Sequence, residues 1–141
     1  MTSEEATCRA FIDLINQKSF KELGELLDVS ASLDYPGISQ IRKKSMVIMF
    51  LRQLRAKFQQ LSFEIDRITQ TGGVLAIEWR NAGVKNDGTE YANQGVTMIE
   101  IVDGKIQSIS DYFKHHAGLH CARPLLGRAR RLLRTYLMTL P

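Results

Sequence analysis

Residues 91–114 read YANQGVTMIEIVDGKIQSISDYFK. Two runs rich in β-branched and aromatic residues flank Asp103-Gly104, a dipeptide that tolerates the positive φ angles of a tight hairpin turn. The segment therefore forms two long antiparallel strands. Strand side chains alternate between faces, so Ile109, Asp111 and Phe113 share one side while Ser108, Ser110 and Tyr112 share the other. This sets the Asp111 carboxylate among apolar neighbours, which is costly unless the group is paired or works in a cavity. The segment thus points to a pocket. In it Asp111 is either a general base whose pKa the apolar surroundings raise, or a structural acid bonded to a tyrosine or a backbone N–H.

Upstream, Leu61, Phe63, Ile65 and Ile68 mark a first strand, closed by a turn at Thr71-Gly72-Gly73. Val74 to Val84 is the next strand, and Asn86-Asp87-Gly88 turns the chain back. One face of the 74–84 strand carries Leu75, Ile77 and Trp79; the other carries Val74, Ala76, Glu78, Arg80 and Ala82. If the greasier face looks inward, Trp79 joins the core and the Glu78–Arg80 pair meets solvent or a dimer partner. If the pair looks inward, it joins Asp111 as a water-activating or proton-transfer set.

Before the strands come helices. Thr2 or Ser3 caps the first, with Glu4 and Glu5 in its opening turn and Phe11, Ile12, Leu14 and Ile15 as its apolar side. A break near 17–19 leads to a second short helix from Phe20 to Leu27. A short strand from Ala31 to Tyr35 is stopped by Pro36-Gly37. A third helix is expected over 43–58, with Val47, Ile48, Leu51, Leu54 and Phe58 on its apolar stripe and Arg52, Arg55 and Lys57 largely outside it. Helices followed by an antiparallel meander imply an α+β layout with the helices on one face of a curved sheet.

With 141 residues, of which 44% are hydrophobic, the chain is long enough for one domain with a real core. No apolar run approaches the roughly 18 residues needed to span a membrane. The opening MTSEEATCRAF lacks the basic start and apolar stretch of a secretion signal. Cys8 and Cys121 lie far apart and read as reduced thiols, so a cytoplasmic location is expected.

The net charge of +4 is concentrated at one end: residues 115–141 carry Arg123, Arg128, Arg130, Arg131 and Arg134 and no acid. The remainder offers no electrostatic case for nucleic-acid binding. This divides the chain into a domain over 1–114 and a basic extension over 115–141. From Pro124 on, leucines and Tyr136 fall on one helical face and arginines on the other. An amphipathic helix there, over about 124–140, either lies on anionic lipid or in a partner's groove, or folds back to cover the domain's open end or a subunit interface; burial within the same protein is the preferred reading. His115, His116, His120 and Cys121 lack the paired spacing of a zinc site, so no metal is expected. No phosphate-cradling glycine loop is present, so no cofactor is implied.

The two-part N-terminal helix, the strand ending Asp34-Tyr35-Pro36-Gly37, the strand containing Glu78-Trp79-Arg80, and VDGKI followed by Asp111-Tyr112-Phe113 together resemble the NTF2-like superfamily. That is the cone-shaped α+β fold of ketosteroid isomerases, scytalone dehydratases, limonene-type epoxide hydrolases and SnoaL-like polyketide cyclases. The resemblance covers about residues 5–114. It implies an NTF2-like (cystatin-like) cone holding a small, mostly apolar organic molecule, with a second copy of the chain covering the open sheet face.

What the resemblance implies for chemistry differs by branch. The isomerases' base aligns with Tyr35, their helix tyrosine with Phe11 and their second acid near Thr97, so their mechanism has none of its groups here. The epoxide hydrolases' late aspartate aligns with Asp111, and the nearest counterpart of their other acid and arginine is Glu78 with Arg80, in reversed order. A SnoaL-like cyclase also uses a late aspartate as base. The expectation is proton transfer (isomerisation, cyclisation, dehydration or epoxide opening) with Asp111 as base, Tyr35 as donor, Arg80 as stabiliser of developing negative charge and Glu78 completing the set. Trp79, Phe50, Phe58, Met98 and Phe113 are the candidate ligand-lining residues; each is otherwise plain core, and Tyr35 otherwise packs beside its proline. The rival is a non-catalytic binding or assembly module, with its cone filled by its own side chains and its sheet face and basic helix as docking surfaces. The discriminator is a void beside Asp111.

Overall fold

The computed structural model describes residues 1–113. The expected domain boundary at 114, the amphipathic helix beyond Pro124 and the His115, His116, His120 and Cys121 group lie outside the described residues.

Among the described residues three helices and six strands follow in the order α1 (Ser3–Gln17), α2 (Phe20–Glu25), β1 (Leu27–Asp34), β2 (Ile41–Arg42), α3 (Lys44–Arg55), β3 (Phe58–Thr71), β4 (Val74–Lys85), β5 (Glu90–Val102) and β6 (Lys105–Phe113). The expected α+β order is observed. The strands form one sheet in the order β2-β1-β6-β5-β4-β3. The last four strands are the antiparallel meander read from the sequence. β1 adds to it in parallel with β6, and the two-residue β2 completes that edge; neither pairing is visible in local sequence pattern. Among the described residues, no helix is long and apolar enough to cross a membrane.

Local chemistry fixes the elements. Thr2 caps α1 by accepting from the Glu5 N–H, and Lys18 ends the helix in a left-handed conformation. Asp103 and Gly104 have φ of 50° and 76°, the paired positive values of a hairpin whose twist matches its strands. The third helix ends at Arg55, three residues before the expected limit, and Phe58 begins β3 instead of closing the helix.

Departures from strict alternation have one cause. In β3 the inward residues Phe58, Leu61, Phe63, Ile65 and Ile68 are spaced by three at two places, and the pairing with β4 shifts at Phe58/Gln60 and again at Ile65/Arg67. Each shift is a β-bulge, which inserts one residue and restores the apolar face after it. The second leaves Asp66 and Arg67 side by side on the outer face.

The core lies between the helices and the inner sheet face. Phe11 and Ile12 of α1, Phe50 and Val47 of α3, and Leu75, Ile77, Ile99 and Ile109 of the sheet are all buried. Cys8 is buried in it as well, and burial pushes its thiol pKa up to about 12, which leaves it unreactive.

One side chain ties α1 to the strand at the sheet's edge. Asn16 donates from Nδ2 to the Phe63 carbonyl at 3.0 Å and accepts from the Phe63 N–H at 2.8 Å. It thereby satisfies both backbone groups of a residue on an edge strand, where no neighbouring strand is present to do so. Asn16→Ala leaves both groups without this partner and should cost ~1–3 kcal/mol in urea unfolding. A loss below a few tenths would mean that water replaces the amide without penalty.

Candidate functional site

A cavity of about 110 Å³ opens between the helices and the inner sheet face. Its helical wall is Phe11, Ile12 and Ile15 from α1 and Leu51, Leu54 and Arg55 from α3. Its sheet wall is Phe63 from β3, Trp79 and Asn81 from β4, Tyr91, Asn93 and Thr97 from β5, and Ile109, Asp111 and Phe113 from β6. Tyr35, Phe58 and Leu61 complete the lining.

Asp111 is half-buried and stands directly across from Thr97 in the β5–β6 ladder. The Thr97 hydroxyl donates to Asp111 Oδ1 at 2.6 Å, and the Trp79 indole N–H donates to the same Thr97 oxygen at 2.8 Å. An indole N–H only donates, so the single Thr97 proton is directed to the carboxylate. Asp111 Oδ2 has no hydrogen-bond partner among the described residues. Burial raises the Asp111 pKa from 3.8 to about 6, against the lowering effect of the Thr97 hydrogen bond.

Gly95 makes the relay sterically possible. A Cβ at this position would sit 2.8 Å from the Trp79 ring and 2.4 Å from the Tyr112 carbonyl oxygen. Without it, the indole lies against the backbone of the neighbouring strand and reaches Thr97 beyond. Phe63 packs edge-on against the other side of the indole, with centroids 5.1 Å apart.

The expected site residues separate into two groups. Asp111 and Tyr35 both line the cavity, as do Trp79, Phe58 and Phe113. Tyr35 packs between Phe50 and Phe113, at centroid distances of 5.1 and 5.4 Å. Phe50 is fully buried beneath it and does not border the cavity. Met98 is on the outer face, because its neighbours Thr97 and Ile99 are the inward residues of β5.

Glu78 and Arg80 are also on the outer face, since the alternate positions Leu75, Ile77, Trp79 and Asn81 are the buried residues of β4. The first of the two orientations considered for this strand is therefore the observed one, and the pair does not meet Asp111. Their charges are met by β3. Arg67 pairs with Glu78, and Arg80 pairs with Asp66 at 2.8 Å and with Glu64 at 3.2 Å. The hydrogen bond from Arg67 lowers the Glu78 pKa, and the bond to Asp66 raises that of Arg80.

Four polar residues in the cavity were not anticipated: Arg55, Asn81, Tyr91 and Asn93. The expectation that Arg55 lies outside the α3 stripe is corrected. Only 7% of it is exposed, and it continues the i, i+4 series Val47, Leu51, Arg55. That spacing was the available signal, and the charge masked it. Arg55 Nη1 donates to the Phe58 carbonyl at 3.1 Å, while its Nε has no partner among the described residues. Desolvation lowers its pKa.

The SnoaL-like domain family model matches residues 8–109. No curated protein matches the sequence. Among solved structures, the fold is similar to a protein from Jannaschia sp. CCS1 provisionally assigned as a SnoaL-like polyketide cyclase, at 15% identity and TM-score 0.75 over 79% of this chain and 85% of that one. It is similar to an LEH-like epoxide hydrolase of M. tuberculosis, at 20% identity and TM-score 0.71 over 94% and 96%. An NTF2-like protein from Anabaena variabilis ATCC 29413 aligns at 17% identity and TM-score 0.73 over 81% and 88%. At these identities the likeness establishes the fold.

The raised pKa of Asp111 has a consequence for stability. The folded chain holds this proton more tightly than the unfolded chain, so the Asp111 contribution is fully present below pH ~4 and is lost as pH rises through about 6. The difference between 3.8 and about 6 corresponds to ~3 kcal/mol. Asp111→Asn removes that titration, so the variant should be more stable than the parent at pH 7, by up to this amount. The two should converge near pH 4. Urea denaturation at both pH values checks it, and curves that stay parallel across the range would show that the carboxyl is not held up by burial.

Proposed function

The chain belongs to the SnoaL-like domain family, and from that premise we propose that it binds a small, mostly apolar organic molecule in its cavity and transforms it by proton transfer, with Asp111 as the base. The observation that carries this reading is the Oδ2 of Asp111, without a hydrogen-bond partner among the described residues, on the wall of an apolar cavity, its other oxygen fixed by Thr97. A carboxylate of pKa about 6 is largely ionised at neutral pH, yet is a markedly stronger base than an ordinary aspartate. The rival reading, a cone filled by its own side chains, has no counterpart of this void.

Size narrows the substrate. An engineered apolar cavity of roughly 150 Å³ holds benzene, so about 110 Å³ suits a body of a few carbons or one ring, not a multi-ring polyketide. Arg80 has no part in this version, because its guanidinium engages Asp66 and Glu64 on the far side of the sheet. Tyr35, on the cavity wall beside Phe113, remains the donor for a ligand oxygen. Proton abstraction beside a carbonyl needs no further group at Asp111. Activation of a water for epoxide opening uses the same free oxygen.

The test is exchange of solvent deuterium into the α-carbon of small ketones, followed by NMR, alongside hydrolysis of small epoxides. Wild type should catalyse one of the two with a rate that rises through pH about 6. Asp111→Asn should lose ~10²–10⁴ of it. Full activity in the Asn variant would remove Asp111 as the base.

We also propose a homodimer across the outer sheet face, where Val74 and Tyr112 are 40% and 61% exposed and Met98 is partly so. Sedimentation of the full chain reads this directly. A monomer would reject it, and Tyr112→Glu should shift a dimer toward monomer.

A further inference from the structure

The end of the cavity away from Asp111 holds polar capacity that the fold itself does not use. Arg55 and Asn81 are 7% and 8% exposed, both line the cavity, and among the described residues Arg55 Nε and Asn81 Oδ1 each lack a hydrogen-bond partner. Buried polar atoms are almost always paired, so two orphans on residues that line one cavity call for an explanation. Beside them, Asn93 faces Asn81 in the β4–β5 ladder and donates from Nδ2 to the Tyr91 hydroxyl at 3.2 Å. Tyr91 therefore accepts one bond, and its own proton has no acceptor among the described residues.

Charge identifies what is missing. Arg55 is ionised at any ordinary pH, and none of the ion pairs among the described residues includes it. A buried cation without a counter-ion is expensive. The spare donors at this end, Arg55 Nε–H and Tyr91 O–H, are those that a carboxylate accepts. Four residues of β5 separate Asn93 from Thr97, a rise of roughly 13 Å, so an anion at this end is held apart from Asp111. The apolar wall of Leu51, Leu54, Phe63 and Trp79 belongs to the same cavity.

We propose that the Arg55–Tyr91–Asn81 end of the cavity is an anion subsite that holds the carboxylate of a small organic acid, with the acid's apolar body extending toward Asp111. Asn81 Oδ1 accepts from a hydroxyl carried next to that carboxylate. This rests on the proton-transfer reading above for what happens at the far end, and narrows the substrate to small organic acids, of which 3-methylbutyrate is a probe of this end alone.

The experiment is calorimetric titration of the full chain with 3-methylbutyrate, 2-hydroxy-3-methylbutyrate and the neutral 3-methyl-1-butanol. The carboxylates should bind at least about tenfold tighter than the alcohol, as a charge-assisted hydrogen bond supports, and the hydroxy acid should be the tightest. Arg55→Met should remove that advantage and leave the alcohol unchanged. If Arg55→Met does not fold, Tyr91→Phe serves, with loss of affinity for the acids alone. Equal binding of acid and alcohol by wild type, or undiminished acid binding by the folded Arg55→Met (or, in its place, Tyr91→Phe), would overturn the subsite. Asp111→Asn separates the two proposals, because it should abolish turnover and retain acid binding. An Asn variant that is active and still binds acids would reject the base and leave the subsite standing.

Discussion

Alternation along β4 and β5 is the constraint on which the rest of this protein depends. Each strand sends every second side chain to the helices and the others to the far face. On β4 this puts Leu75, Ile77, Trp79 and Asn81 inside and Val74, Glu78 and Arg80 outside. On β5 it puts Tyr91, Asn93 and Thr97 inside and Met98 outside. A slip by one residue would bury the Glu78–Arg80 charges and expose Trp79, exchanging the core for the ion-pair ladder. The bulges in β3 and at the β5–β6 register shift keep the partners in phase with that choice. The outer ion pairs then follow from geometry, because Glu64 and Arg67 stand opposite Arg80 and Glu78 and the bulged Asp66 lies between them.

Within that frame the cavity is a balance between packing and omission. Gly95 has no side chain, so the Trp79 ring occupies that room and its N–H reaches Thr97. The hydroxyl of Thr97 then has one proton left, and it goes to Asp111. One hydrogen bond lowers the carboxyl pKa less than the apolar surroundings raise it, which leaves the group poised near neutrality. Phe11, Tyr35 and Thr97, the positions that align with the isomerases' catalytic groups, all border this cavity. The cavity thus lies where the resemblance implies, while the side chains at these three positions differ from the isomerases' groups.

What could be read in advance follows from the range of the signals. The Asp103-Gly104 turn, the cap at Thr2 and the face shared by Ile109, Asp111 and Phe113 are local, and residues a few positions apart specify them. The sequence admits two orientations of β4, because a Glu78–Arg80 pair can work inside a pocket as well as face solvent; its greasier face, Leu75, Ile77 and Trp79, points to the observed one. Arg55 was hidden because a charge on a helix is ordinarily placed in water, although its spacing from Val47 and Leu51 put it on the buried stripe. Phe50 and Met98 were grouped with the cavity by side-chain type; the helix face and strand parity send one beneath Tyr35 and the other to the outer surface. The parallel pairing of β1 with β6 joins segments far apart in sequence and leaves no trace in either one.

The two ends of the cavity differ in what the fold does for them. At Asp111 the protein supplies a partner, Thr97, and in turn a partner for Thr97, so the carboxyl is oriented before any ligand arrives. At Arg55 the described residues supply only the Phe58 carbonyl and leave Nε without an acceptor, and they leave Asn81 Oδ1 without a donor. A chain selected for stability alone would fill such a position with leucine or methionine, since well-packed apolar replacements of buried charge are often neutral or stabilising. Stability is therefore a poor reason for an arginine at the end of α3, facing a void. The proposed anion subsite offers a better one, because the guanidinium is already partly desolvated in the empty site and an arriving carboxylate meets a donor with less water to shed.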